Sequence, residues 1–252
     1  MYDKIQLSQL QLEKIEKHTL AEYPKEMCGF LTADDFFPAE NIAERREGDP
    51  EDRDARELRF TINPLDYAKY YSKAIAIVHS HCRKAKQPEV FDLRTPSYRD
   101  MIEQPRTNLP WLIVGCEGIN VSTPLQFPRI PNNNYLNRHF LWFINDCYTL
   151  VQDWYLFELD ITLKPYVLSG DYTAIRCLSN LFETHIEDYG FKEVPYAEIQ
   201  KHDLVILDNG AFESNHLGIF TGTSILHQDS LSVEVPFETF IGRIKKVVRY
   251  VE

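Results

Sequence analysis

Apolar positions along this chain come in short runs set between polar stretches, and the spacing within each run says which element it forms. Leu10, Leu12, Ile15 and Leu20 keep a partly helical spacing, and Ser8 with Gln11 matches a capping box, so a helix is predicted over residues 8–22. Pro24 ends it. Cys28-Gly29-Phe30-Leu31 then reads as a short buried strand with Glu26 at its entrance. The stretch from Glu44 to Arg59 is dense in both charge signs and poor in apolar residues, which predicts a solvated loop or hairpin tip. Pro64 starts a second helix carrying Leu65, Tyr67, Ala68 and Tyr71. The run Ala74 to Val78 is a strand ending in His79, a helix capped by Ser97 follows, and Trp111 to Val114 forms the next strand.

From Gly118 to Asn137 the pattern dissolves into Ser, Thr, Pro and a triple Asn, which is turn and linker chemistry. The domain boundary is placed there, with domains at 1–120 and 137–252 joined by a linker at 121–136. Beyond it, Asp146 to Tyr155 reads as an apolar helix, while 204–207, 217–220 and 247–251 read as strands. A helix followed by several strands predicts the α+β class.

With 252 residues, of which 44% are hydrophobic, the chain can build two cores. It carries 38 acidic against 27 basic residues and no basic stripe, which argues against nucleic acid as a partner. No apolar run approaches the ~20 residues that span a bilayer, so stable membrane insertion is not expected, and the chain reads as soluble and made in the cytoplasm. Five cysteines without CxxC spacing do not make a disulfide framework. Cys28, Cys116 and Cys177 are expected in the core.

Two imidazoles at i and i+2 on a strand project from one face, so His79 and His81 can meet on one small cation. A hydrolytic zinc site needs a third ligand, an open position for water and a carboxylate to take the water's proton. The third ligand would be an acid downstream, and Glu26, held nearby on another strand, could be the base. Cys82, next to His81, is a further candidate ligand.

The segments Pro24-Lys25-Glu26-Met27-Cys28-Gly29-Phe30-Leu31, His79-Ser80-His81 and Pro96-Ser97-Tyr98-Arg99-Asp100 together resemble the JAMM metallopeptidase motif of the JAB/MPN fold, over roughly residues 1–120. That resemblance implies a mixed α/β N-terminal domain in which His79, His81 and Asp100 hold Zn²⁺, Glu26 activates water and Ser97 donates to the oxyanion. The usual family spacing lands instead on Asp92, so Asp92 stands as the alternative third ligand; Asp100 is favoured because Ser97 precedes it.

A second cluster lies downstream. A thiolate nucleophile needs an imidazole to deprotonate it and gains from a helix N-terminus. Cys147 opens the apolar helix, His216 opens a strand, and His227 lies on the next strand after a turn at Thr221-Gly222-Thr223-Ser224. Facing strands would put both histidines on one side, with Cys147 as nucleophile, His216 as base and His227 orienting it. Asp146-Cys147, His202-Asp203-Leu204-Val205, His216-Leu217-Gly218-Ile219 and Leu226-His227 are similar to the papain-like NlpC-type cysteine peptidases, over about residues 135–250. The resemblance implies cleavage of peptidoglycan peptides. Phe140 stands where many relatives carry tyrosine.

A JAMM-like domain followed by an NlpC-like domain resembles the tail tip assembly family of lambda-like long-tailed phages. The resemblance implies a location at the virion tail tip, or in the host cytoplasm during assembly, with action at the host cell wall. It also implies other tail tip or hub proteins and peptidoglycan stem peptides as partners, and a role in viral genome entry. A structural tail module with inactive peptidase folds is the alternative, since a fold does not fix a function. A cellular isopeptidase acting on ubiquitin-like tags is a third reading, against which the second domain argues.

Overall fold

The computed structural model describes residues 2–83, 92–165, 181–208 and 216–251, and divides the chain into two compact units, Met1–Ile130 and Pro131–Glu252. The expectation placed on Cys177 lies outside the described residues.

In the first unit, helix α1 (Gln9–Glu22) starts at the Ser8 capping box and is followed by strands β1 (Cys28–Leu31) and β2 (Phe36–Ala39). Helix α2 (Pro64–Tyr70) begins at Asn63 with proline in its first turn. Strand β3 (Ala76–Cys82), helix α3 (Tyr98–Thr107) and strand β4 (Trp111–Cys116) form a crossover with β3 parallel to β4. Strand β5 (Leu125–Phe127) falls in the stretch expected to be a linker, yet it pairs antiparallel with β4 and closes the sheet order β2-β1-β3-β4-β5.

Strands β1, β3 and β4 are apolar without alternation because both sheet faces are covered. One face packs Ile15 of α1 against Met27, Leu31, Val78 and Leu112. The other packs Cys28, Phe30, Ile77 and Trp111 against Phe60, Tyr67 and Tyr70. His79 and His81 share the second face, because they continue the alternation begun at Ile77.

The second unit opens with helix α4 (Cys147–Leu159), followed by strands β6 (Phe191–Val194), β7 (Leu204–Leu207), β8 (His216–Phe220), β9 (Ser224–Gln228), β10 (Ser232–Pro236) and β11 (Ile244–Tyr250). They make an antiparallel sheet ordered β10-β9-β8-β7-β11-β6. Helix α4 packs on one face through Tyr148, Leu150, Val151, Leu217, Ile219 and Leu226, while Val205, Leu207, Phe220, Ile225 and Phe240 fill the other. Arg138 and Asp153 form a buried ion pair at 2.8 Å beneath this unit's surface. No helix among the described residues is long and apolar enough to cross a membrane.

Candidate functional site

Backbone register builds the first site. Cys28 pairs with His79 across the antiparallel β1–β3 ladder, and the Ser80 N–H donates to the Met27 carbonyl at 3.1 Å. Extending that register sets Glu26 opposite His81, on the face that carries both histidines. Ser80 points the other way and its hydroxyl accepts the Met27 N–H at 2.8 Å.

Helix α3 brings the carboxylate. Ser97 is its N-cap: the Ser97 Oγ accepts the Asp100 N–H at 3.2 Å, and Asp100 Oδ2 accepts the Ser97 N–H at 2.6 Å. This reciprocal box fixes the Asp100 rotamer so that its oxygens face the two rings. His79 Nε2 lies 3.3 Å from Asp100 Oδ1, His81 Nε2 lies 3.1 Å from Asp100 Oδ2, and the two Nε2 atoms are 3.2 Å apart. Four ligands held at 2.0–2.1 Å around a tetrahedral zinc sit about 3.3 Å from one another; the two imidazole nitrogens keep that spacing, and each lies at a similar distance from its own oxygen of the Asp100 carboxylate. His79, His81 and Asp100 therefore form a group that could hold a metal ion.

Asp92 is exposed and turned away, paired with Arg94 at 2.6 Å. The third corner of the triangle belongs to Asp100. Cys82, one residue beyond His81, lies on the opposite face, where it pairs in register with Cys116 and donates to the Lys25 carbonyl at 3.3 Å. It is not a ligand of this centre. Cys28 and Cys116 are buried core residues, as expected.

Supporting contacts orient the ligands. His81 Nδ1 lies 2.7 Å from the Leu93 carbonyl oxygen. Gly115 pairs with His81 across the parallel ladder, and a side chain there would bring a Cβ within 2.8 Å of the Leu93 Cβ, so only glycine lets the 92–95 loop reach the histidine. The His79 ring is stacked on Phe60 at 4.6 Å and lies edge-on to Trp111 at 5.2 Å, whereas its Nδ1 has no hydrogen-bond partner among the described residues. Leu93, Gly115 and Phe60 were not among the residues singled out from the sequence. The isolated glycine in an apolar run was the available signal for a close approach.

Charge follows burial and proximity. Burial opposes ionisation of Asp100, but His79 and His81 together hold its carboxyl well below the usual range. Burial pulls His81 down, yet Asp100 outweighs it and holds the imidazole up at about 9, while burial lowers His79. Without a metal, a proton on His81 neutralises the carboxylate. Glu26 is pushed up to about 7 mainly by burial, with His81 opposing and Asp100 adding to the rise. A carboxyl poised near neutrality beside a candidate metal position suits proton transfer.

The second site starts at the N-terminus of α4. Asp146 caps the helix: its Oδ1 accepts the Thr149 N–H at 2.9 Å and its Oδ2 accepts the Phe143 N–H at 2.7 Å. Cys147 is therefore the first helical residue, as the sequence suggested. The β8–β9 register pairs Gly218 with His227, and the two rings meet with His216 Nε2 at 3.0 Å from His227 Nδ1. Gly218 permits this tight face, since a Cβ there would lie 2.4 Å from Ile225. His227 also rests edge-on against Phe240 at 5.1 Å.

Strand alternation assigns the faces. Leu217 and Ile219 point toward α4, whereas His216, Gly218 and Phe220 share the face of Val205, Leu207 and Ile225. Cys147 meets β8 at its backbone, where the Leu217 N–H donates to the thiol. Burial pushes that thiol up to about 12, with Asp146 adding to the rise and backbone N–H groups opposing it. Burial and then His227 lower His216 to about 4. Phe140 packs edge-on against Trp142 at 5.0 Å and offers no hydroxyl.

Fold and geometry thus define a mixed α/β protein with two sheets, a two-histidine, one-aspartate group able to hold a metal ion, and a buried cysteine in the first turn of a helix capped by Asp146. No protein-family model matches the chain. It is similar to tail tip assembly protein K of Escherichia phage N15, with 29% identity over 254 residues covering 97% of this chain and 96% of that protein. It is also similar to tail tip assembly protein K of Escherichia phage lambda, with 28% identity over 169 residues covering 66% of this chain and 76% of that protein.

Proposed function

We propose that this chain is a phage tail tip assembly protein whose first unit is a JAMM-type zinc peptidase and whose second unit is an NlpC-type cysteine peptidase of peptidoglycan stem peptides. The similarity to two tail tip assembly proteins, one along nearly the whole chain, supports the setting. It would work with other tail tip or hub proteins, at the virion tail tip and then at the host cell wall. The observation that carries the enzymatic reading is the triangle of His79, His81 and Asp100 with Glu26 beside it.

His79, His81 and Asp100 would hold the zinc, which when bound supplies a Lewis acid toward water and a peptide carbonyl. Glu26, with its carboxyl near 7, accepts the proton of the attacking water at neutral pH and returns it to the leaving amine. Ser97 uses its oxygen to accept the Asp100 N–H, which leaves the hydroxyl proton available to a developing oxyanion.

The test is metal content and peptide hydrolysis measured together on the full chain. About one zinc per chain is expected in the wild type and in Glu26→Gln, with hydrolysis of tail tip proteins lost in that variant and zinc itself lost in Asp100→Ala. A wild type that takes up no zinc after dialysis against it would refute the metallopeptidase reading. For the second unit, release of peptides from purified wall should vanish in Cys147→Ala. A second reading, that this unit serves docking rather than catalysis, draws support from the thiol at about 12 and the imidazole at about 4, which leave both groups neutral.

A further inference from the structure

On the sheet face that carries His79 and His81, the first unit has a groove of about 430 Å³. Phe60, Ile62, Tyr67, Ile77 and Trp111 line it with apolar surface. Two of these, Phe60 and Trp111, also pack directly on the buried His79 ring, so they stand between the groove and the candidate metal ligands. Besides Thr61 and Thr107, its remaining lining is charged: Arg46, Arg99 and Arg106, with Glu103.

The charges are unequal in what they are already doing. Arg106 lies 3.1 Å from the Glu103 carboxylate and is half of a local ion pair. Arg46 and Arg99 make no ion pair among the described residues, although the chain as a whole carries a net charge of −11. Two uncompensated guanidiniums over an aromatic and aliphatic floor reverse the sign of the chain's overall charge at this place. A guanidinium fork matches a carboxylate in a planar, bidentate way, and the floor offers a large side chain a site out of water.

We propose that this groove binds an extended peptide segment with a large apolar side chain flanked by carboxylates, and that Arg46 and Arg99 select the acidic residues. The catalytic meaning of such binding rests on the metallopeptidase reading above, since Phe60 and Trp111 are shared by the groove and the His79 ring. The binding itself does not need the metal. Aliphatic Ile62 and Ile77 in the floor favour a peptide side chain over a nucleotide.

The experiment is fluorescence anisotropy on the full chain with two labelled hexapeptides, Ala-Asp-Phe-Glu-Ala-Gly and Ala-Lys-Phe-Lys-Ala-Gly, in EDTA and in zinc, with AMP as competitor. The acidic peptide should bind at least about tenfold more tightly than the basic one, and Arg46→Glu with Arg99→Glu should reverse that order. Thermal melting and zinc content of the double variant show whether fold and metal group are intact; if either is lost, Arg46→Gln and Arg99→Gln replace the reversals, and about tenfold weaker acidic-peptide binding is then required. Equal binding of the two peptides, unchanged preference in a folded double variant, or displacement by AMP at lower concentration than the acidic peptide itself would overturn the proposal. Acidic-peptide binding in a protein that takes no zinc would sink the metallopeptidase reading and leave this groove assignment standing. Zinc-dependent hydrolysis with no preference for acidic segments would do the reverse.

Discussion

Cys147 offers the sharpest test of what the second unit does at rest. Its thiol is pushed from an ordinary value of 9.0 to about 12, chiefly by burial, while His216 on β8 is lowered to about 4. Alkylation proceeds through the thiolate. Three pKa steps correspond to about a thousandfold smaller thiolate fraction at neutral pH, and the near-complete burial of the side chain slows reagent access further. Iodoacetamide should therefore modify Cys147 at least about a thousand times more slowly than N-acetylcysteine at pH 7, followed peptide by peptide in a mass-spectrometric time course. Replacing His216 by Ala should leave that rate nearly unchanged, because a neutral imidazole is not stabilising a thiolate. Modification as fast as the free thiol, with a plateau extending below pH 6 and a marked slowing in His216→Ala, would show a preformed thiolate–imidazolium pair. The neutral resting site argued above would then be wrong, and the docking reading would lose its support.

Three further outcomes are expected. His216 carries its proton less readily folded than unfolded, so the stability it contributes is complete above its unfolded value of 6.5 and is lost as pH falls toward 4; the shift corresponds to about 3 kcal/mol, discounted to ~2 for the partly exposed ring, and denaturant melts of wild type and His216→Gln between pH 7 and 4 should differ by that amount. Asp153→Ala strands the buried Arg138 guanidinium and should cost ~3–5 kcal/mol by urea unfolding, whereas an effect under 1 kcal/mol would mean that the pair is solvated in solution. Gly115→Ala forces the Leu93 loop away from His81 and should weaken zinc binding about 10–100-fold in a chelator competition, while Asp92→Ala should leave it unchanged.

Much of the local structure was legible in the residues. The Ser8 and Ser97 caps, the proline-led start of α2, the apolar runs of β1, β3, β4 and β7, and the Thr221–Ser224 turn all follow from rules that act within a few residues. Strands β2, β5, β6 and β10 were not foreseen, because short or mixed sequences such as Phe36–Ala39 and Leu125–Phe127 become strands only when a neighbour supplies the ladder. Gln126 shows the point: its side-chain amide and carbonyl bond to Asp3 and Ile5, far away in the chain, and fasten a stretch that reads locally as linker.

The sequence by itself determined that His79 and His81 share a face, that Cys147 begins a helix and that His216 and His227 lie on adjoining strands, since strand period and capping chemistry are local properties. Tertiary structure decided what those residues face. Asp100 joins the histidines and Asp92 does not because the α3 capping box aims one carboxylate inward while Arg94 holds the other at the surface. Glu26 near 7, Cys147 near 12 and His216 near 4 are likewise tertiary outcomes, because burial by residues distant in the chain sets the cost of each charge.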